Sequence, residues 1–326
     1  MNSAYEELKK QFEGRVKEQE LLAPYSTYKI GGPADLFYSA NTSHELISIV
    51  TQARILKIPF FIIGGGSNVL IGDLGFRGLV IKNNTGAITI RGMKGKMKGV
   101  AKKSTVYLEA DSGVPMNKLV RFSLEEGLSG LEMHLGLPGS VGGAVYMNSK
   151  WMKPVGFVGD VIHQATVLTG ANQLKQVEKD YFHFSYGSSI LQKNNDTLIS
   201  VVFALVEEDK DVLWTRANDS VEHRKRTQPQ GVRTAGCVFK NISASEALSL
   251  GTPDHATSAG FLLDKSGCKG VSVGQAEVSD SHANFIITKK GATASDVIEL
   301  INIMKRNVKN TFGVSLKEEI LRVGEF

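Results

Sequence analysis

The chain has 326 residues, 42% of them hydrophobic and 22% charged, and a formal net charge of +5. These are the proportions of a globular protein with room for two or three domains. No apolar run approaches the ~20 residues of a membrane span, and the small positive balance suits anionic small molecules without calling for nucleic acid. Two cysteines, Cys237 and Cys268, exclude a disulfide framework and fit no common zinc spacing, so no metal site is expected. The opening Met1-Asn2-Ser3-Ala4-Tyr5-Glu6-Glu7 lacks the basic-then-apolar pattern of a signal peptide. A cytoplasmic protein is the expectation.

In chain order, residues Met1 to Glu20 read as a charged amphipathic helix. Tyr25 to Asp35 follows as an irregular segment broken by Gly31-Gly32-Pro33. A helix is predicted from Thr42, with Glu45 closing a capping box and Leu46, Ile49, Val50 and Ala53 on the buried face. Pro59 then hands the chain to a short apolar strand, Phe60 to Ile63, which runs into Gly64-Gly65-Gly66-Ser67-Asn68. Three successive glycines permit positive φ and close approach of the backbone to a ligand. With Ser67 and Asn68 they make a concavity of N–H donors suited to a pyrophosphate; a glycine-rich turn without a ligand is the plain alternative. Leu79-Val80-Ile81 is a returning strand.

Alternating strands begin near Thr85, at Ile88–Ile90 and Val106–Leu108. Between them Arg91, Lys94, Lys96, Lys98, Lys102 and Lys103 read as an exposed hairpin tip, because the aromatic residues that stack on nucleic acid are missing. A short helix from Asn117 to Glu126 stops at Gly127. A second glycine cluster then runs through Gly136-Leu137-Pro138-Gly139-Ser140-Val141-Gly142-Gly143-Ala144. Flexible linkers seldom interleave Leu, Pro, Val and Ala with glycine, so this is a packed loop that presents main-chain amides. Two such loops far apart in sequence suggest one extended ligand of dinucleotide length.

Strands at Ala165–Leu168 and Leu198–Leu205 precede a charged break, Glu207 to Asp211, which marks a candidate boundary. A periodic helix from Ala294 to Thr311 turns Val297, Leu300, Ile301, Met304 and Val308 inward, with Gly313 as its C′ residue. A final strand carries Glu318 and Glu319.

Five ordered stretches resemble the motifs of the UDP-N-acetylenolpyruvoylglucosamine reductases, over about Tyr25 to Gly324. They are Thr27 to Asp35, Gly64 to Asn68, Leu137 to Ala144, Ala235-Gly236-Cys237-Val238-Phe239, and Ser281-His282-Ala283-Asn284-Phe285-Ile286. The resemblance implies an α+β protein: a two-lobed FAD-binding domain of the PCMH type, shared with the vanillyl-alcohol-oxidase-like flavoproteins, and a C-terminal α+β substrate-binding domain. Its expected divisions are 1–84 (first lobe, with the N-terminal helix), 85–210 (second lobe) and 211–326 (substrate domain). The implied cofactor is FAD, contacted by Gly64, Gly65, Gly66, Ser67, Asn68, Pro138, Gly139, Ser140, Gly142 and Gly143. Neither histidine nor cysteine occurs in the first loop, so FAD is expected to dissociate. NADPH is the implied co-substrate and a UDP-sugar nucleotide the substrate, handled by a monomer in the bacterial cytoplasm without nucleic-acid or membrane partners.

The implied reaction reduces an enolpyruvyl ether to a lactyl ether in peptidoglycan precursor synthesis. By motif match, Cys237 is the proton donor, where many relatives have serine; packing as a small apolar residue is its alternative. Glu319 is the matched carboxylate, although strand alternation would send Glu318 and Glu319 to opposite faces and leaves open which one meets the flavin. Lys240 and Asn241 match diphosphate contacts, and His282 reads as structural. Asn148-Ser149-Lys150 stands where the family usually has asparagine-alanine-glycine. The family's phenylalanine-x-tyrosine-arginine motif reads Phe184-Ser185-Tyr186-Gly187, so its arginine position is Gly187. Glycine can neither pair with a substrate carboxylate nor oppose developing charge. Arg224, taken as a substrate ligand, or Arg233 would have to reach in from another loop. The rival readings are a flavin-binding paralogue with weak or lost activity and another FAD oxidase or dehydrogenase on the same fold.

Overall fold

A computed structural model describes residues 3–94, 104–152 and 155–326. The lysines expected at a hairpin tip between 95 and 103 lie outside the described residues. The chain forms two compact units, each assembled from separate stretches: 1–16, 37–65 and 79–224 in the first, and 17–36, 66–78 and 225–326 in the second. The division falls inside the first glycine loop, between Gly65 and Gly66.

In the first unit an antiparallel sheet runs in the order Leu174–Glu178, Ile162–Leu168, Thr197–Glu207, Thr105–Asp111, Ile88–Lys94, with Leu128–Ser129 added to the end of the third strand. Val106, Leu108 and Ala110 alternate inward, as period-2 patterning requires, and join Val201, Phe203 and Leu205 in one core. The helix Met116–Glu125 buries Leu119, Val120 and Leu124 in that core and ends at Glu126, with Gly127 at φ +70°. Phe60–Ile63 pairs in parallel with Leu79–Lys82. The helix predicted from Thr42 runs over Ser43–Ile55 and buries Leu46, Ile49, Val50 and Ala53. Thr42 accepts the Glu45 amide at 3.2 Å, but the Glu45 carboxylate reaches back to the Asn41 amide at 2.8 Å, so the capping box closes one residue early.

The N-terminal helix is shorter than its composition suggests. It covers Ser3–Gln11, and Gly14, at φ +73°, turns the chain before the strand Lys17–Leu21. Charge spacing alone does not hold a helix this short, and a residue in the left-handed region ends it.

The second unit packs the long helix Ala294–Phe312 on a three-stranded antiparallel sheet, Ser272–Val273, Ala276–Val278 and Ile286–Thr288. Thr293 and Asp296 form a reciprocal capping box at its start, and Gly313, at φ +70°, closes its end. All five inward positions read from the sequence are buried. The last strand differs from expectation: it is Leu321–Val323, parallel to Val69–Ile71, and both glutamates precede it. Strand alternation therefore does not govern the Glu318–Glu319 pair.

Candidate active site

In the first unit, the two glycine loops meet. A Cβ on Gly65 would stand 2.6 Å from the Cα of Gly139, and one on Gly64 would overlap the Ser140 hydroxyl. Contacts under 3 Å between such atoms are not sustainable, so the loops require glycine for their own approach. The Lys82 amine donates to the Gly64 carbonyl and holds the first loop; burial lowers its pKa. The second loop is fixed by Met116, whose amide donates to the Gly139 carbonyl at 3.0 Å, and by Asn117, which accepts the Gly136 amide at 2.6 Å. Ser140 caps the helix Val141–Tyr146 by accepting the Gly143 amide. A Cβ on Gly142 would meet the Ser112 carbonyl at 3.0 Å, whereas at Gly143 it would meet only the Ser140 hydroxyl, at 3.7 Å, among the described residues. Pro138 is exposed at the loop's tip.

Arg224 lies in this unit, its guanidinium 4.8 Å over the Trp151 ring and its stem against Gly136. Beside it His134 is 3% exposed and its Nδ1 has no hydrogen-bond partner among the described residues. Burial, then the Arg224 charge, press its pKa down to about 4. The imidazole is neutral at physiological pH.

In the second unit three extended stretches lie side by side, with 237–240 in the middle. On one flank the Val238 amide donates to the Asn284 carbonyl at 2.8 Å. The Asn284 side chain clasps Phe239, accepting its amide at 2.9 Å and donating to its carbonyl at 2.8 Å. On the other flank the Glu319 amide donates to the Val238 carbonyl at 2.7 Å, and the Lys240 amide to the Lys317 carbonyl at 2.9 Å. Glu319 is thereby hydrogen-bonded to the residue next to Cys237. Asn68 extends the arrangement: its amide side chain donates to the Glu319 carbonyl at 3.1 Å, and its own carbonyl accepts the Leu321 amide at 2.9 Å.

The two adjacent glutamates have opposite surroundings. Glu318 pairs with Lys305 and with Arg322, the latter at 2.7 Å. Burial works against its charge, but hydrogen bonds from Arg322 and Lys305 outweigh it and hold the carboxyl below its usual range. Glu319 is pushed up to about 7 by burial, with the nearby Lys240 charge compensating only in part. A carboxyl so placed is half protonated near neutrality and can donate a hydrogen bond. Tyr28, 1% exposed, lies close enough to Cys237 for that side chain to add to the rise that burial imposes on its phenol.

The remaining candidates are placed as follows. The Asn241 side chain accepts the Ala259 amide at 3.0 Å, at the start of the helix Ala259–Lys265. Arg233 is exposed, and its backbone bridges to Thr288. His282 accepts the Asn284 amide at 3.2 Å and packs on Phe285. Lys82, Tyr28 and Asn284, which the fold brings against the first loop and the 237–240 stretch, are not candidates on sequence grounds. Asn284 lies in a recognised motif, but Lys82 carries no local signal.

The loop pair is built for main-chain approach on a strand–helix scaffold, and residues 34–177 match the family described as FAD binding domain, which makes this an FAD-binding protein. Residues 228–323 match the C-terminal domain of UDP-N-acetylenolpyruvoylglucosamine reductase. The reductase of Clostridium novyi (strain NT) is 35% identical over 315 residues, covering 95% of this chain and 92% of that protein. That of Bacillus velezensis (strain DSM 23117 / BGSC 10A6 / LMG 26770 / FZB42) is 32% identical, covering 99% of each. The crystal structure of the reductase from Thermus caldophilus superposes with a TM-score of 0.74 at 30% identity, covering 95% of this chain and 99% of that one. The chain belongs to the UDP-N-acetylenolpyruvoylglucosamine reductase family, the flavoenzymes of peptidoglycan precursor synthesis.

The loops fit that cofactor. Among the described residues the amide of Gly65 donates to no protein acceptor, which leaves a donor for a diphosphate where this loop meets the second. Gly143 leaves open the space a Cβ would take. No helix among the described residues is long and apolar enough to cross a membrane.

Proposed function

We propose that the chain reduces the enolpyruvyl ether of UDP-N-acetylglucosamine enolpyruvate at the expense of NADPH, with Cys237 and Glu319 as its acid groups and Lys240 and Asn241 toward the diphosphate. Bound FAD supplies the two-electron relay between nicotinamide and the vinyl carbon. Hydride addition to the methylene carbon leaves negative charge on the neighbouring carbon and its carboxylate. Glu319, neutral in about half the molecules near pH 7, donates a hydrogen bond to that charge without first adding another negative one. Cys237 gives its thiol proton to the carbon and regains one from solvent. A thiol, with an ordinary pKa of about 8.5, is protonated at neutrality yet gives its proton more readily than a hydroxyl.

The observation that carries this reading is the pair itself: a half-buried carboxyl of raised pKa, hydrogen-bonded through its backbone to the residue beside a half-buried thiol. Anaerobic stopped-flow absorbance tests it. NADPH should bleach the flavin, and UDP-N-acetylglucosamine enolpyruvate should restore its colour rapidly. Bleaching that the enolpyruvyl substrate does not reverse would favour the paralogue with lost activity.

A further inference from the structure

We infer that Lys150 supplies the cation that Gly187 lacks, its ammonium group contacting the carboxylate of the enolpyruvyl substrate. The inference rests on the reductase reading above. The substrate carboxylate already carries a full negative charge and takes on more as hydride arrives, so a fixed cation beside it stabilises the transition state more than the ground state.

Gly187 itself is committed to a turn. Ser185 and Ser188 bridge each other, and Gly187 sits at φ +63°, where a side chain is strained. The turn presents Tyr186, 37% exposed, at its tip. It is bound to the end of the glycine-loop helix by three side chains. Asn148 donates to the Ser185 carbonyl at 3.2 Å and accepts the Gly159 amide at 3.1 Å. Ser189 donates to the Tyr146 carbonyl at 2.8 Å, and Gln192 to the carbonyls of Tyr146 and Gly187 at 2.7 and 3.2 Å. Residues 146–150 and 185–192 are therefore one braced piece.

Lys150 opens the strand Lys150–Met152 on that piece, paired with Phe157. Its Nζ stands 5.0 Å from the centroid of the Tyr186 ring and 5.8 Å from that of Phe157. Among the described residues no carboxylate pairs with it. The charge lost beside Tyr186 at Gly187 is thus restored beside the same ring from the facing strand. Two aromatic faces hold a cation without neutralising it, which leaves it for an anionic ligand. The other candidate in this unit, Arg224, is engaged over Trp151 and wedged against Gly136. Lysine acts here as a point charge, without the bidentate fork of arginine.

The test uses oxidised holoenzyme, wild type against Lys150→Met and Lys150→Arg. Flavin absorbance is followed during titration with UDP-N-acetylglucosamine enolpyruvate and, separately, with UDP-N-acetylglucosamine, which lacks the carboxylate; stopped-flow reoxidation is measured afterwards. Lys150→Met should weaken binding of the carboxylate-bearing ligand by about tenfold or more, the scale of one charge-assisted contact, and leave the other ligand's affinity unchanged. Reoxidation should slow by at least as much, and Lys150→Arg should restore most of both. If Lys150→Met matches wild type in both readouts, or weakens both ligands equally, the assignment is overturned. A wild-type holoenzyme that the enolpyruvyl substrate never reoxidises would overturn the reductase reading, and this inference with it. A normal wild type beside an indifferent Lys150→Met would overturn this inference alone.

Discussion

The glycine loops and the Cys237–Glu319 region are built from opposite materials. The first is main chain brought close: Gly64 and Gly65 let one loop touch the other, and Gly143 leaves space open. The second is a set of side chains whose properties are made by their surroundings. Glu318 and Glu319 are neighbours of one residue type, yet two cations hold one charged and burial pushes the other up to about 7. Backbone recognition needs particular residues. Chemical tuning needs particular neighbours.

That contrast breaks if damage to one region appears in the other's assay. The largest effect is expected of Cys237→Ala: flavin reoxidation by the enolpyruvyl substrate should slow about a thousandfold, within the span of a lost general acid, while bleaching by NADPH persists. Cys237→Ser should recover most of the rate, since a hydroxyl can carry the same proton. Bleaching and reoxidation that fall together would mean the thiol serves the cofactor's seat instead.

Glu319→Gln should slow reoxidation about a hundredfold, the lower end of acid catalysis. It should also change the pH dependence of stability in a direction that can be worked out. Folding raises this carboxyl from 4.5 to about 7, so within that interval the folded chain holds a proton that the unfolded chain has released. Its contribution to stability is therefore full below the unfolded pKa and is lost as pH rises through the folded one. Urea unfolding at pH 5 and pH 8 should find Glu319→Gln gaining on wild type at the higher pH, by roughly 3 kcal/mol at most from the size of the shift. An equal difference at both pH values would remove the raised pKa from the account.

Gly143→Ala sharpens the other side. The protein itself has room for the methyl group, so folding should be unaffected. FAD affinity should drop about tenfold, the scale of a small overpacking. Fluorescence titration of the apoprotein with FAD measures it, and unchanged affinity would place the cofactor elsewhere. Glu318→Gln should do least. Its partners Lys305 and Arg322 are both about a third exposed, so its loss should cost about 1 kcal/mol or less and alter turnover by about twofold at most.

Much of this protein is legible in its sequence. The helix Ala294–Phe312 announces itself by period, cap and terminal glycine because all three are local properties. Gly64–Asn68 and Leu137–Ala144 stand out because close backbone approach admits few residues besides glycine. The N-terminal helix is shorter than its charge spacing suggests, because that spacing does not report where a left-handed residue turns the chain. The closing strand lies a few residues later than its sequence suggests, because Leu321–Val323 is fixed by its pairing with Val69–Ile71, which is distant in sequence.

Local chemistry, then, determined the loops and the long helix, since each depends on residue type and short-range order, while the candidacy of Cys237 and Glu319 came from the resemblance of their motifs. Tertiary structure alone decided which glutamate is charged, that Lys82 holds the first loop, that the amide of Glu319 is tied to Val238, and that Lys150 lies over Tyr186 beside Gly187. Burial and electrostatic environment are sums over neighbours brought together from distant parts of the chain. No window of sequence contains them.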